Sequence, residues 1–326
     1  MVNKFKMILY FFCHLIRIRK LKFKELVIIS KVLAGRNLHI LYEYVIDAFD
    51  GSKLFDTNEI LRVEFIGSGK GLFSLNTYRK ITNNNQEILF EKIFLKGSID
   101  FKKSEHFYNY YFDDLTSKGL KIPERKKVVS GSKLIVVHFE FFNLIPIEVD
   151  HYFNAALSVC NVLNKNYIYT QVPKFLTDFP SNIFHNFREI SYHDTLMKFL
   201  NFTNISNISY KLIFDSLKKL PKVTTHADLN KINIYKNNIV IDWDKFGIYP
   251  FGYDLGLVLC LNLKYTGHCR LEYILENEEN YLEEENKLGI LFYYLIFSFY
   301  FKIHLIHEKV FDKNLDKLKK IIIPIG

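Results

Sequence analysis

The stretch "THADLNKINIYKNNIVIDWD", residues 225–244, decides the fold. It sets a histidine, an aspartate and an asparagine in the order H-x-D-x-x-x-x-N: His226, Asp228 and Asn233. Two short apolar runs follow, and Asn237-Asn238 between them favours a two-residue hairpin turn. A hairpin returns the chain to where it began, so the sequence predicts that Asp242, at its far end, lies beside the loop that carries the first three residues.

The segment after the hairpin, "KFGIYPFGYDLG", adds a further aspartate, Asp254. With these motifs the sequence resembles the small-molecule branch of the protein-kinase-like superfamily: aminoglycoside phosphotransferases, choline and ethanolamine kinases, and related sugar kinases. The resemblance covers most of residues 60–260, and its strongest motifs lie between 226 and 255. It implies a bilobal α+β fold, with an N-lobe of about five antiparallel strands plus one helix and a larger, mainly helical C-lobe.

The resemblance also implies a role for each motif residue. Transfer of a γ-phosphoryl group needs positioning and charge neutralisation more than covalent chemistry. Asp228 is expected to be the catalytic base for an acceptor hydroxyl. Asn233 and Asp242 are expected to hold Mg²⁺, which prefers oxygen ligands. His226 is expected to pack and hydrogen-bond within the catalytic loop, and Asp254 to anchor that loop; the alternative for Asp254 is a helix N-cap.

Four residues need comment because they depart from the family pattern or extend it. Ala227 stands where the family has glycine, and the expectation is that it is tolerated with a negative φ. Asn230 stands where antibiotic kinases have histidine, and Lys231 is one place later than the lysine of protein kinases. Asp244 supports either a second metal ion or only the fold. These features leave the base and metal ligands intact but leave the acceptor open.

The N-terminal lobe begins with the glycine-rich "IGSGKG", residues 66–71. A Walker-type loop is rejected because Gly71, not Ser or Thr, follows Lys70 and the next residues are strand-like. The segment is instead expected to be the turn between the first two strands, a lid over the phosphates of ATP. Its expected nucleotide contacts come from Gly67, Ser68, Gly69 and Gly71.

A kinase-type fold also needs a lysine on its third strand and a glutamate on the next helix. Lys92 in "LFEKIFL" and Glu105 fit by order and spacing, whereas Lys96 falls at the end of the strand. The "VVHFEFFN" run is expected to be the fifth strand and hinge. Backbone groups there are the expected contacts of the adenine base: Phe139, Glu140 and Phe141.

Composition divides the chain further. Residues 1–31 hold +7 of the formal net charge of +9, so the basic character lies at the N-terminus and no specific nucleic acid is expected as a partner. We predict a basic amphipathic segment at 1–36, the N-lobe at 37–142 and the C-lobe at 143–326. The first segment either packs on the body or lies on a membrane surface. The four cysteines form no C-x-x-C and indicate reduced thiols.

The sequence therefore predicts a cytoplasmic kinase, with peripheral association at the inner face of a membrane as an option. It would use ATP and Mg²⁺ to phosphorylate a hydroxyl of a small molecule or glycan, such as a sugar, an amino alcohol or an aminoglycoside-like compound. Two alternatives stay open. One is a catalytically inactive kinase-fold binding protein. The other is a protein kinase-like enzyme, which is disfavoured because no glycine follows the Asp242-Trp243 pair and no A-P-E motif follows.

Overall fold

The structure is a computed structural model that describes residues 50–51, 54, 60–68, 77–165, 173–177, 192–203, 219–277 and 284–322. The chain divides into two compact units, Met1–Lys102 with Pro123–Asn143 and Lys103–Ile122 with Leu144–Gly326. The predicted domain boundaries stay a prediction, although the segment Lys103–Ile122 groups with the second unit. The predicted basic segment at 1–36 lies wholly outside the described residues. A helical pattern in the sequence also predicts a helix at about 208–219, which lies mostly outside them.

The strands of the first unit lie close to where the sequence predicts them. They are β1 (Ile60–Ser68), β2 (Thr77–Asn83), β3 (Ile88–Leu95), β4 (Arg125–Ser130) and β5 (Leu134–Glu140). Within the described residues they form one sheet in the order β1-β2-β3-β5-β4, and every neighbouring pair is antiparallel. Together with the helices of the second unit, this sheet confirms the α+β class.

The sequence "SGS", residues 130–132, predicts a turn between the last two strands of this sheet. The structure has this turn, and a distant carboxylate holds it. The Gly131 N–H donates to the Leu134 carbonyl at 2.9 Å. Asp50 is 2% exposed, and its carboxylate accepts the backbone N–H groups of Ser132 at 2.8 Å and of Leu134 at 2.7 Å. Buried backbone donors need such partners, so Asp50 ties the chain before β1 to the β4–β5 hairpin.

The second unit is mainly helical. Its helices are α1 (Ile99–Tyr110, which begins in the first unit), α2 (Phe112–Ser117), α3 (Val149–Asn164), α4 (Lys174–Thr177), α5 (Tyr192–Thr203), α6 (Tyr253–Thr266), α7 (Leu271–Asn277), α8 (Glu284–Tyr300) and α9 (Glu308–Ile322). Four short strands accompany them within the described residues: β6 (Lys222–Thr225), β7 (Ile234–Tyr235), β8 (Ile239–Val240) and β9 (Gly247–Pro250). Helical patterns in the sequence predict helices at about 148–164, 191–202 and 252–264, and α3, α5 and α6 confirm them.

The core of this unit forms around α6 and α8. Gly256 permits their close approach, since a Cβ built there would lie 2.6 Å from Tyr293 Cβ and 2.7 Å from the Tyr294 nitrogen. The charge-free run from Leu288 to Phe301 is too short to span a bilayer, so the sequence predicts a buried core helix there. In the structure most of this run is buried, and the helix that contains it, α8, ends at Tyr300. Within the described residues, no helix combines the length and the apolar character needed to cross a membrane.

The hairpin that follows the catalytic motif differs from the prediction in one respect. Ile234 pairs with Val240 and Tyr235 with Ile239, so the loop has three residues, Lys236–Asn238, instead of two. Asn237 and Asn238 both have positive φ, at 65° and 57°. Asparagine tolerates the left-handed region better than most residues, which explains how the loop closes with one residue more than a simple two-residue turn.

Candidate functional site

The segment that carries Asp228 begins where β6 ends. β6 pairs with β9, and the Thr225 hydroxyl donates to the Gly247 carbonyl at 2.9 Å. Asp254, in the first turn of α6, then fixes the next two residues. Its two carboxylate oxygens accept the His226 N–H at 2.7 Å and the Ala227 N–H at 2.9 Å. The N-cap of α6 is Gly252, so Asp254 is placed to anchor the loop, not to cap its own helix.

Ala227 corrects one expectation from the sequence. Its φ is +63°, whereas a negative value was predicted from the sequence. For an alanine this left-handed conformation costs roughly 1–2 kcal/mol. The side chain is fully buried and the backbone N–H is held by Asp254. The surrounding contacts therefore impose the conformation that a glycine would adopt without strain.

His226 packs and hydrogen-bonds within the segment that carries Asp228. Its ring is fully buried, and Nδ1 accepts the Asp228 N–H at 3.2 Å. Nδ1 is therefore the acceptor, which leaves Nε2 to donate to the Ile241 carbonyl at 2.8 Å. These two bonds fix one neutral tautomer and connect the loop before Asp228 to the strand that leads to Asp242.

Two asparagines hold Asp228, one at its carboxylate and one at its backbone carbonyl. The Asn230 amide donates to Oδ1 of Asp228 at 2.7 Å, and its own oxygen accepts the Ile232 N–H at 2.9 Å. The Asn233 amide donates to the Asp228 backbone carbonyl at 2.8 Å. Both polar ends of Asn230 are thus engaged, so this residue holds Asp228 in place.

Asp242 is brought to the same loop by the hairpin. The Ile241 N–H donates to the Asn233 carbonyl at 3.0 Å, which sets the next residue beside Asn233. Asp242 itself has a φ of +68°. Burial raises the pKa of Asp228 and the negative charge of Asp242 raises it as well, while the bond from Asn230 and the charge of Lys245 act in the opposite direction; the resulting pKa is about 7. The charge of Asp242 therefore acts on Asp228.

The oxygen donors at this site fit a magnesium ion. The Asn233 side chain uses its nitrogen on the Asp228 carbonyl, so the amide oxygen is its remaining polar atom, and Asp242 adds a carboxylate. Oxygen donors of these types suit Mg²⁺, which keeps several waters and takes few protein ligands. Among the described residues no cluster of three or more His, Cys, Asp or Glu side chains has the arrangement of a metal site.

Trp243 connects Asp242 to helix α1. Its indole is 2% exposed and stacks on the Phe107 ring, with centroids 4.2 Å apart and an interplanar angle of 9°. The His226 and Trp243 ring centroids lie 4.6 Å apart, and the Trp243 Nε1–H donates to the Val240 carbonyl at 3.1 Å. A stacked aromatic pair of this kind contributes about 0.5–1.5 kcal/mol beyond area burial, so α1 stabilises the segment that holds Asp242.

A second contact links α1 to the strand after Asp242. Lys103 is 3% exposed, and its ammonium donates to the Tyr249 hydroxyl at 2.8 Å. Asp244, which was expected to serve a second metal or the fold, is 4% exposed. That burial is compatible with either role, so the expectation stays open.

The nucleotide residues predicted for the first unit lie in or beside its sheet. Lys92 is 3% exposed in the middle of β3, and its Nζ lies 5.2 Å from the Phe94 ring centroid. Lys96, the competitor, follows the strand and donates to the Gly131 carbonyl at 2.9 Å. β1 ends with Gly67 and Ser68, which pair with Tyr78 and Thr77 of β2. Gly69 and Gly71 lie outside the described residues.

The remaining predicted nucleotide contacts stay predictions. The Glu140 N–H donates to the Glu124 carbonyl at 2.8 Å, which leaves fewer free backbone groups at Phe139–Phe141 for a base. Glu105 lies on α1 as expected and is exposed. Its pairing with Lys92 would join the two units, and it stays a prediction.

Some residues of the site were missed by the sequence reasoning. The Tyr152 hydroxyl donates to the Leu229 carbonyl at 2.5 Å, although nothing in the sequence near α3 indicates it. Tyr265, at the end of α6, is a second example. Burial raises the pKa of Tyr265, and the charge of Asp228 adds to the rise. Asn230 gave a signal, since an asparagine two residues after an aspartate commonly makes such local bonds.

Comparison with known proteins gives a likeness of fold at low identity. No protein-family model matches the sequence, and no curated protein matches it significantly. Among solved structures, the chain is similar to amicoumacin kinase hAmiN in complex with AMP-PNP, Ca²⁺ and Ami, with 14% identity, a TM-score of 0.44, and coverage of 91% of this chain and 95% of that chain. It is similar to choline kinase LicA from Streptococcus pneumoniae, with 13% identity, a TM-score of 0.43, and coverage of 88% and 99%.

A third similar structure is a putative fructosamine-3-kinase from Haemophilus somnus, with 17% identity, a TM-score of 0.36, and coverage of 87% of this chain and 96% of that chain. Because each TM-score is below 0.5, we base the function proposed below on the contacts of the described residues.

Proposed function

We propose that this protein is an ATP- and Mg²⁺-dependent phosphotransferase that acts on a hydroxyl of a small molecule or glycan. One observation carries the proposal: Asp228, Asn233 and Asp242 are connected through hydrogen bonds of a single loop and hairpin. Asp254 fixes the loop by accepting the backbone N–H groups of His226 and Ala227. Phosphoryl transfer needs a base and metal ligands that are held in fixed positions relative to each other. These contacts would hold Asp228, Asn233 and Asp242 in such positions.

Asp228 would orient the acceptor hydroxyl and take its proton. A general base works best when its pKa lies near the working pH, and burial raises the pKa of Asp228 to about 7. The Asn230 amide donates to one carboxylate oxygen at 2.7 Å, and the acceptor hydroxyl would bind at the other oxygen. This division of the two oxygens gives the base a defined direction.

Asn233 and Asp242 would hold the magnesium ion. When bound, the metal neutralises charge on the phosphates of ATP and holds them in line with the acceptor. His226 and Trp243 keep the two ligand-bearing segments together through the Ile241 carbonyl and the His226–Trp243 ring contact. In the first unit, Lys92 would contact the phosphates, and the Gly67–Gly71 segment would cover them.

Two alternatives fit the chain less well. An inactive binding protein predicts the loss of a catalytic residue, and Lys92, Asp228, Asn233 and Asp242 are all present. A protein kinase would place a long activation segment after the metal aspartate. Here β9 and then α6 follow directly, and Asp254 lies in the first turn of α6. A small acceptor is therefore favoured.

The test is transfer of labelled phosphate from ATP, with Mg²⁺, to a panel of hydroxylated acceptors. We expect turnover that depends on Mg²⁺ and falls by roughly 10³-fold or more in Asp228→Asn, because the proton acceptor is lost. Asp312→Asn is the matched control, since Asp312 is exposed on α9. Equal activity in the Asp228→Asn variant would refute the assignment of the base. Nucleotide binding without transfer to any acceptor would favour the inactive alternative.

A further inference from the structure

Tyr265 is the centre of a small group of side chains beside the catalytic loop. Its ring lies edge-on to the Tyr152 ring, with centroids 5.4 Å apart, and the Tyr152 hydroxyl donates to the Leu229 carbonyl at 2.5 Å. The Lys231 ammonium lies 5.2 Å from the Tyr265 ring centroid. Residues on both sides of Asn230 therefore contact this group, and Lys231 lies in the same loop as Asp228, three residues further on.

The face of Tyr265 is already covered by a cation of the chain. An aromatic face attracts one cation at close range, and the Lys231 ammonium occupies that position. A quaternary ammonium or an amino sugar would meet the positive charge of Lys231 instead of a free ring. An anion would meet an exposed ammonium that the ring holds in a limited range of positions.

The segment that carries Tyr265 is rich in cations. From Lys264 to Arg270 it contains these two cations and His268 and has no acidic residue. The Lys264 ammonium lies 5.3 Å from the Phe301 ring centroid. In the catalytic loop and hairpin, the charge of Lys245 acts on Asp228, and the acids Asp228 and Asp242 are those that the proposed reaction uses.

We propose that the acceptor carries an anionic group, a phosphate or a carboxylate, in addition to the hydroxyl that is phosphorylated, and that Lys231 binds this group. The inference rests on the proposed phosphotransferase function and names its acceptor class. Tyr265 is a positioning residue. It restricts the Lys231 side chain before the acceptor arrives, which lowers the entropy lost on binding.

An acidic residue could instead make the site suit a cationic acceptor. Asp150 is exposed in the first turn of α3, two residues before Tyr152. If Asp150 selected the acceptor, amines would be preferred and Asp150→Asn would weaken their binding. The two possibilities therefore predict opposite acceptors and different sensitive residues.

The experiment compares acceptors that differ in charge. Glucose 6-phosphate, glycerol 3-phosphate and gluconate represent anions, glucose and glycerol are neutral partners of these compounds, and glucosamine, choline and kanamycin represent cations. With ATP and Mg²⁺, we expect the highest kcat/KM for an anionic compound, and the phosphate esters and gluconate separate the two kinds of anion. A cationic or neutral best acceptor would overturn the inference and leave the phosphotransferase function standing.

Variants at Lys231 then test the residue. Lys231→Met keeps an unbranched side chain over Tyr265 but removes the charge, and Lys231→Arg restores it. For the anionic acceptor we expect KM to rise at least about tenfold in Lys231→Met, with a smaller change in kcat, and to recover in Lys231→Arg. The control is Lys236→Met, the same change at an exposed position in the hairpin loop. Equal effects of Lys231→Met and Lys236→Met would contradict the proposal.

A binding measurement decides the matter if no acceptor is phosphorylated. Calorimetric titration of the full chain with glucose 6-phosphate, glycerol 3-phosphate and gluconate reports anion binding without catalysis. Binding that weakens at least tenfold in Lys231→Met and not in Lys236→Met supports the anion site, even when the phosphotransferase function fails. Absence of any Lys231-dependent binding, or binding of glucosamine that depends on Asp150, overturns it.

Discussion

The carboxylate of Asp254 fixes the backbone of Ala227 in the left-handed conformation. One oxygen accepts the Ala227 N–H at 2.9 Å and the other accepts the His226 N–H at 2.7 Å. Both groups are buried. An asparagine at position 254 has one acceptor oxygen, so Asp254→Asn leaves one of the two donors without a partner.

We therefore expect Asp254→Asn to lower the free energy of unfolding by about 1–3 kcal/mol, the cost of an unsatisfied buried donor. Because the loop before Asp228 would also lose its fixed position, kcat should fall more than KM changes. Denaturant unfolding and phosphotransfer assays measure the two effects. Asp312→Asn, on the exposed face of α9, should change neither. A stable and fully active Asp254→Asn protein would show that the anchor is unnecessary.

Ala227 gives a prediction of the opposite kind. At a φ of +63°, glycine relieves strain of roughly 1–2 kcal/mol, but it also adds about 0.4–1 kcal/mol of unfolded-state entropy. We expect Ala227→Gly to leave the unfolding free energy within about 1 kcal/mol of the original value. Ala156→Gly, inside α3 and equally buried, should destabilise by about 1 kcal/mol because its helix needs no positive φ. Denaturant unfolding of both variants separates the two outcomes.

Ala227→Val tests the same conformation from the other side. A β-branched residue is a genuine outlier at positive φ, and Ala227 has no exposed surface into which a larger side chain can turn. We expect a loss of more than about 2 kcal/mol in the unfolding free energy. A variant as stable as the original protein would mean that the loop adopts another conformation in solution.

Residue order predicted the hairpin, and the position of Asp228 in the loop before it, because their spacing is local. Asp228, Asn233 and Asp242 lie within one loop and one hairpin, so residue order alone predicts their proximity. It failed on Ala227, because the sign of φ is imposed by Asp254, which lies 27 residues further on. Residue type alone gives alanine a negative φ. The hairpin loop was misjudged by one residue for a related reason, since Lys236 is also held from outside by the Ile145 carbonyl.

Contacts between distant elements were the other limit. Tyr152 reaches Leu229 across 77 residues, and Phe107 stacks on Trp243 from a different helix. Neither has a signature in residue spacing, because packing partners far apart in the chain are chosen by the assembled core. The strands of the first unit were predicted well, since apolar runs and turn residues mark their ends.

Trp243 offers a direct readout of the metal site because it is the only tryptophan in the chain. Its indole is 2% exposed and directly follows Asp242. We expect AMP-PNP with Mg²⁺ to change its fluorescence in a saturable way, because a metal on Asp242 alters the charge next to the indole. The Mg²⁺-dependent part should vanish in Asp242→Asn and persist in Asp312→Asn. A Mg²⁺-dependent fluorescence change in Asp242→Asn as large as in the original protein would show that Asp242 does not bind the metal.

Glu272 gives the pH dependence of a contact remote from the catalytic loop. Its Oε1 lies 2.7 Å from the Lys313 ammonium and 2.9 Å from that of Lys317, so α7 is tied to α9. Hydrogen bonds from Lys313 and Lys317 lower the pKa of Glu272 to about 2. In the unfolded chain a glutamate has a pKa of about 4.3. The folded protein thus binds the proton more weakly, and the contact stabilises it above about pH 4 and is lost as the pH falls towards 2.

We therefore expect Glu272→Gln to lower the unfolding free energy by up to about 1 kcal/mol near neutral pH, a small value because the pair is exposed to solvent. The difference between this variant and the original protein should shrink as the pH falls from about 5 to about 2, since protonation removes the same charge from the original protein. Added salt should reduce it as well. Denaturant unfolding at several pH values measures the difference, with Glu276→Gln on the same helix as the control. A difference that stays constant down to pH of about 2 would mean that packing between α7 and α9, and not the charge of Glu272, is the source of the effect.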